Sequence, residues 1–301
     1  MRVLVLSTAP PDRTDPSREI VEFDLSSAAR GVAAVIPGAI TAETEGAPSE
    51  VLALLEQHRP DIVYNLCEAP FGRPDLESHI AALFEWVGVR FTGSRSETLG
   101  LCRRKDHTAA VLAAAGVATP PQDGFPCIVK PADEDGSAFM ERESICHDAA
   151  AIARAQARIP GRVVVERFLP GREFTVALWG RNCPEHVSIG ETCFRGNLRL
   201  ITYAAKWDRG SRDDCESPLC YDSPLDAALR DAIVGAASGA WRAVEARGYL
   251  SVDVRLDDEG IPHVIDVNPN PDCTPSHGMH RAVSEAGWTW ERFVHAQLEW
   301  A

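Results

Sequence analysis

The run Tyr249–Thr274, YLSVDVRLDDEGIPHVIDVNPNPDCT, constrains this chain more than any other stretch. Two alternating apolar segments flank Asp257-Asp258-Glu259-Gly260, and an Asp/Gly cluster between such segments predicts a hairpin. Strand side chains alternate between faces. Leu250, Val252, Val254 and Leu256 are therefore expected on one face, and Ser251, Asp253 and Arg255 on the other. In the return strand Ile265 and Val267 are expected together, with Asp266 and Asn268 opposite them. Closing the hairpin brings Asp253 near Asp266, with Asn268 beside them. Two carboxylates and an amide oxygen suit a hard cation such as Mg²⁺, which takes oxygen ligands and completes its shell from substrate phosphates. The competing reading is a solvated polar face, the commoner fate of such residues. The rest of the chain decides between them.

A net charge of −14 argues against a broad surface for nucleic acid. No apolar run reaches the length of a membrane span, and MRVLVLSTAPP turns to proline and charge too early for a signal peptide. Nine cysteines without a C-x-x-C pair argue against a disulfide framework or structural zinc, and for a reducing compartment. The expectation is a cytoplasmic protein without nucleic-acid or membrane partners.

Along the chain, residues 2–7 predict a strand, 20–35 and 49–57 helices, 61–66 a buried strand, 75–87 an amphipathic helix and 89–91 a strand. This alternation predicts a parallel sheet with helices packed on it, and the absence of G-x-G-x-x-G removes support for a dinucleotide fold. Lys105 opens an alanine-rich helix over 106–115 that stops at Gly116. FPCIVKPA (125–132) predicts a strand carrying Lys130, followed by the loop Asp133–Ser137. A lysine before a Gly/Ser loop can gather an ammonium and backbone N–H groups around phosphates, or simply snorkel. A helix is expected over 148–159, two strands around Pro170-Gly171 within 162–180, and a polar irregular segment over 190–222. Long irregular segments of this kind are commonly lids or binding loops. Ser223-Pro224 reads as the start of a helix over 224–247, and two more helices close the chain.

These segments together resemble the ATP-grasp superfamily, and within it the D-alanine–D-alanine ligase-like branch, colinearly from about Asp61 to Gly287. PDIVYNLCEAPFG and FEWVGVRFTGS resemble its N-terminal domain, and VVVERFLPGREFTV its nucleotide hinge. The resemblance implies an α/β and α+β ATP-grasp fold with units at 1–95, 96–169 and 170–301. It implies that Lys105 and Lys130 reach ATP phosphates, that Glu166, Arg167, Phe168 and Leu169 border adenine, and that Glu173 binds the ribose hydroxyls. TYAAKW is similar to a segment placing Lys206 near the transferred phosphate. Ser137 in the phosphate loop and Arg255 on the metal strand complete the catalytic candidates. Asp253, Asp266 and Asn268 are the implied ligands of Mg²⁺, two ions in number, with Mn²⁺ as a substitute.

Departures from the family pattern cluster where substrate binds. Asp266 stands where a glutamate is usual, Ser251 where an arginine is usual, and Pro269-Asn270-Pro271-Asp272 replaces a glycine-containing turn. Glu68, Tyr203, Asn270 and Asp272 are the substrate candidates, and Glu19 or Asp24 the candidates for a first amino acid. The resemblance implies a ligase that activates a small amino-acid-like carboxylate as an acyl phosphate and joins it to an amine, with a substrate other than D-alanine. It also admits a homodimer and a specialised role such as natural-product biosynthesis. Ring closure within one molecule, a phosphotransferase, and a nucleotide-binding protein without turnover remain open on sequence.

Overall fold

A computed structural model describes residues 1–9 and 25–301. Glu19 and Asp24, and the first part of the helix expected over 20–35, lie outside the described residues.

The chain begins with β1 (Val3–Thr8), α1 (Leu25–Ala33), β2 (Ile40–Thr44), α2 (Pro48–His58) and β3 (Ile62–Leu66). The three strands form a parallel sheet in the order β2-β1-β3. Every residue of β1 is buried, because the sheet is covered on both faces. Val3 and Val5 join Ile62, Tyr64 and Leu66 in one core, while Leu4 and Leu6 join Val63 and Phe84 in another. β2 had no counterpart in the sequence reading: ITAET is short and half polar. The strand expected over 89–91 is reduced to a single bridge between Val63 and Phe91.

After α3 (Glu77–Val87) and α4 (Ser96–Cys102) comes α5 (Lys105–Ala114), then β4 (Cys127–Pro131), β5 (Ile145–Cys146), α6 (Ala149–Arg158) and β6 (Val163–Arg167). The three strands form a small antiparallel sheet in the order β5-β4-β6. Asp148 caps α6 by accepting from Ala151 N at 2.7 Å.

The largest sheet follows, in the order β11-β10-β7-β8-β9. It comprises β7 (Glu173–Gly180), β8 (His186–Thr192), β9 (Leu219–Cys220), β10 (Gly248–Leu256) and β11 (Pro262–Asn268). β6 and β7 are thus not a hairpin; the chain changes sheets between them. Gly171 permits this crossing, since a Cβ there would lie 2.5 Å from Leu256 O. The segment 190–222, expected to be irregular, contains the end of β8, α7 (Tyr203–Trp207), α8 (Arg212–Glu216) and β9. Side-chain caps from Thr202 and Ser211 hold these two short helices, and such local signals are weak in a polar sequence. The long helix α9 (Ala227–Ala243) is capped by Asp226, which accepts from Leu229 N, and not by Ser223.

Leu250, Val252, Val254 and Leu256 pack on Ile233, Ala237 and Trp241 of α9, as alternation requires. The return strand departs from simple alternation. Asp253 pairs with Asp266, but Val254 pairs with Val264, so a bulge leaves Ile265 without a partner in β10. Val264 and Val267 therefore enter the core, whereas Ile265 turns to the cleft beside Asp266, correcting the expected pairing of Ile265 with Val267.

The chain ends with α10 (Gly278–Glu285) and α11 (Trp290–Trp300). Phe293, Val294 and Leu298 of α11 share a core with Val3, Val5, Tyr64 and Tyr249. This packing sets the ends of β3 beside the end of β11. Among the described residues no helix is long and apolar enough to cross a membrane.

Candidate active site

A cleft opens between the small antiparallel sheet and the β7–β10–β11 sheet. Lys105, Lys130, Ser137, Glu166, Phe168, Leu169, Glu173, Asp253, Arg255 and Asp266 all line it. They come from five regions of sequence, so their meeting is a property of the fold.

At one end, Asp253 and Asp266 face each other across the β10–β11 register. Thr175 donates to Asp253 Oδ1 at 2.8 Å. Burial, and then the charge of Asp266, push the Asp253 carboxyl above its usual range. Lys105 Nζ meets Asp266 Oδ1 at 2.9 Å and Oδ2 at 3.0 Å, and reaches Asp135 Oδ1 at 2.9 Å. Burial opposes the charge of Lys105, but its two carboxylate partners outweigh that and raise its pKa. Desolvation works to raise the half-buried Asp135 carboxyl, but Lys105 and Arg103 outweigh it and hold its pKa down at about 2. Asn268 is exposed and carries one hydrogen bond on its amide oxygen, from Asn270 N at 2.9 Å. Among the described residues no group of three or more His, Cys, Asp or Glu is gathered for a metal. An ion at this place therefore depends on the Asn268 oxygen and on oxygens carried by substrate. The donor set, all oxygen, fits Mg²⁺.

Lys130 Nζ lies 2.6 Å from Glu166 Oε1 and donates to Ile265 O at 2.8 Å, so the bulge in β11 also supplies a carbonyl to this lysine. Phe168 and Leu169 are buried against the cleft. The Arg167 side chain turns out to Asp123, with 3.1 Å between Nη2 and Oδ1. Glu173 pairs with Arg255, and burial, partly offset by Arg255, pushes its pKa up to about 7. Ser137 has a φ of 58°, a left-handed conformation that turns the loop after β4 back over the cleft.

The segment after β8 docks on that loop. Trp207 Nε1 donates to Gly136 O at 2.7 Å, Tyr203 N to Met140 O at 2.9 Å, and Arg142 bonds Asp213 and Glu216. Lys206 is exposed, lies over the Trp207 ring, and acts electrostatically on Glu68, Asp135 and Asp253. The Tyr203 side chain is exposed.

The profile of the family described as D-ala D-ala ligase C-terminus matches residues 103–299, which include every one of these cleft residues. The chain belongs to that family. A D-alanine–D-alanine ligase of Stutzerimonas stutzeri is 28% identical over 295 residues, covering 92% of this chain and 89% of the relative. An uncharacterized protein of Sinorhizobium fredii is 28% identical over 255 residues, covering 79% and 74%. The D-alanine–D-alanine ligase of Bacillus anthracis, solved in complex with ATP, superimposes with a TM-score of 0.75 at 17% identity, covering 99% of this chain and 96% of that one. The fold is thus the ATP-grasp fold of such ligases, and this family member is an ATP-dependent, ADP-forming carbon–nitrogen ligase of that type.

Beyond the β10 and β11 residues, Glu68, Glu77 and Asp272 gather where β3 and β11 end. Glu77 was absent from the sequence reading. Its Oε1 accepts from Asn270 Nδ2 at 2.6 Å, and Asn270 Oδ1 accepts from Tyr249 OH at 3.1 Å. Burial, against the Asn270 bond, pushes Glu77 up to about 8. Burial, then the charges of Glu77 and Asp272, raise Glu68 well above the usual range. Asp272 Oδ1 accepts from Thr274 N at 2.7 Å, fixing the turn. Arg103, also missed, holds Asp135 at 2.6 Å and Glu134 at 3.1 Å; the charged run Arg103-Arg104-Lys105 was the available signal.

Proposed function

We propose that this ligase transfers the γ-phosphoryl group of ATP to the carboxylate of a small amino-acid-like substrate, and that an amine then displaces phosphate to form an amide. The observation that carries this reading is the meeting of Lys105, Lys130, Asp253 and Asp266 on one cleft, with Phe168 and Leu169 forming its apolar wall. Phosphoryl transfer depends on positioning and charge stabilisation more than on covalent help from protein groups. Asp253, Asp266 and Asn268 would hold Mg²⁺, which when bound neutralises charge on the β- and γ-phosphates. Lys105 and Lys130 offset further charge at the phosphate oxygens, and Lys206 stands over the acceptor end near Glu68. The loop around Ser137 offers backbone N–H groups to the same phosphates. An acyl phosphate is lost to water in an open site, so the segment 193–219, tied to that loop by Trp207 and Tyr203, acts as the closing lid.

The substrate differs from two D-alanines. Ser251 and the Pro269–Asp272 turn present neither an arginine nor a flexible glycine to an acceptor carboxylate. Phosphate release from ATP–Mg²⁺, measured across amino acids singly and in pairs, tests the proposal. A required pair shows amide formation between molecules, and one sufficient compound carrying both groups shows ring closure. ADP production that never requires an amine overturns the ligase chemistry in favour of phosphotransfer.

A further inference from the structure

Arg255 lies two residues beyond Asp253 on β10 and is only 3% exposed. Its Nη1 meets Glu173 Oε2 at 2.5 Å, and its Nη2 donates to the backbone carbonyl of Arg199 at 2.7 Å. The guanidinium carbon lies 4.5 Å from the centre of the Phe168 ring and 5.4 Å from that of Phe194. One side chain thus joins the nucleotide wall (Phe168, Glu173), the root of the lid (Phe194, Arg199) and the metal strand. Glu173 Oε1 has no hydrogen-bond partner among the described residues, and Glu173 lines the cleft, so Arg255 holds one carboxylate oxygen while the other stays available to a ligand. An apolar side chain of similar volume would fill this space without the cost of burying a charge, so packing alone does not account for an arginine here. Two separate acceptors require a fork of donors, which lysine lacks.

We propose that Arg255 is a positioning residue that fixes Glu173 to accept the ribose hydroxyls and ties that carboxylate to the lid, so that sugar recognition and lid closure are linked. The proposal rests on the reading of the cleft as an ATP site.

The test pairs calorimetric binding of ATP and dATP with tryptic cleavage at the lid's Arg195, Arg199, Lys206, Arg209 and Arg212. Wild-type protein is expected to prefer ATP and to be cut more slowly when ATP–Mg²⁺ is bound. Arg255→Met should reduce the ATP:dATP preference about tenfold, the worth of one charge-assisted hydrogen bond, and abolish protection of the lid. Two further variants separate the linked effects and serve if the methionine variant folds poorly. Arg255→Lys keeps a cation beside Glu173 but cannot also hold Arg199 O, so it should retain the preference and lose the protection. Glu173→Gln should lose the preference and retain the protection. A folded Arg255→Met or Arg255→Lys protein with wild-type preference and wild-type lid protection overturns the role given to Arg255. Wild-type protein that binds neither nucleotide overturns the ATP reading itself, a different result.

Discussion

Replacing Asp266 by asparagine removes one negative charge where Lys105, Asp253 and the expected ion meet. The structure separates the effect on chemistry from the effect on folding. Lys105 keeps its contact with Asp135 at 2.9 Å, and an asparagine oxygen can still accept from Lys105, so no buried ammonium is stranded. The repulsion that helps raise the Asp253 pKa also disappears. These opposing changes should leave stability within about 1 kcal/mol, a shift in melting temperature of no more than about 4 °C. Catalysis should suffer far more. A charged group aimed at the transferring phosphoryl is worth about 3–4 kcal/mol, so kcat should fall roughly 100- to 1,000-fold. Phosphate release at saturating ATP and substrate, with Mg²⁺ as the titrant, is the assay, and the half-saturating Mg²⁺ concentration should rise. Asp135→Asn is the control, because it also removes a Lys105 partner but contributes no expected ligand; its Mg²⁺ dependence should stay near that of the wild type. A folded Asp266→Asn enzyme with wild-type kcat and Mg²⁺ dependence would refute the assignment. An equal shift in both variants would trace the effect to Lys105 and not to the ion.

Two predictions concern stability. Glu77 has a folded pKa of about 8, above its unfolded value, so the folded state holds the extra proton. Its contribution is therefore fully present below the unfolded pKa and is lost as pH rises towards about 8. Glu77→Gln keeps the acceptor for Asn270 and should be the more stable protein at pH 8–9 by about 1–2 kcal/mol, with the difference shrinking towards pH 5; parallel urea titrations at both ends would disprove this if the gap were constant. Lys130→Met leaves the buried Glu166 carboxylate without its cation and should cost about 3–5 kcal/mol, whereas the double variant Lys130→Met/Glu166→Gln should recover most of it. Equal denaturation midpoints for the single and double variants would show that the pair is not coupled.

Much of the cleft's lining was legible because its residues sit at positions that strand alternation or helix opening makes explicit. Asp253 and Asp266 face each other because their two segments flank a short turn, closed by Asp257 Oδ1 accepting from Glu259 N and Ile261 N. Lys105 was legible as the first residue of an alanine-rich helix. The errors share a different cause: each required knowledge of something distant in sequence. Apolar content could place Ile265 with Val267, but only pairing against β10 reveals the bulge that turns it to Lys130 and the cleft. The strands on either side of Pro170 read correctly, while their separation into two sheets follows from contact between Gly171 and Leu256. Glu77 carries no sequence signal beyond being an acidic residue near a helix start. Its significance arises from Asn270, 193 residues away.

On β10, one short alternating pattern carries three candidate residues to different neighbours. Ser251, Asp253 and Arg255 do share a face, and alternation alone invites assigning all three to the reacting atoms. Their cross-strand partners divide them. Up to Asp253 the register is regular, and the carboxylate stands opposite Asp266. Beyond it the pairing with β11 is shifted by one residue, while the register with β7 stays regular and sets Arg255 opposite Glu173, within reach of the Arg199 carbonyl and nearly sealed from solvent. A guanidinium with both terminal nitrogens committed to those two partners is poorly placed to substitute for a cation missing at Ser251, four residues earlier. On the proposed reading the acceptor end is left with Lys206, an exposed lysine in 193–219 that acts electrostatically on Glu68 and Asp135. With that segment closing as proposed, charge there is set by its closure and not by a fixed strand residue, so substrate selection in this ligase should be more sensitive to changes in 193–219 than to changes along β10.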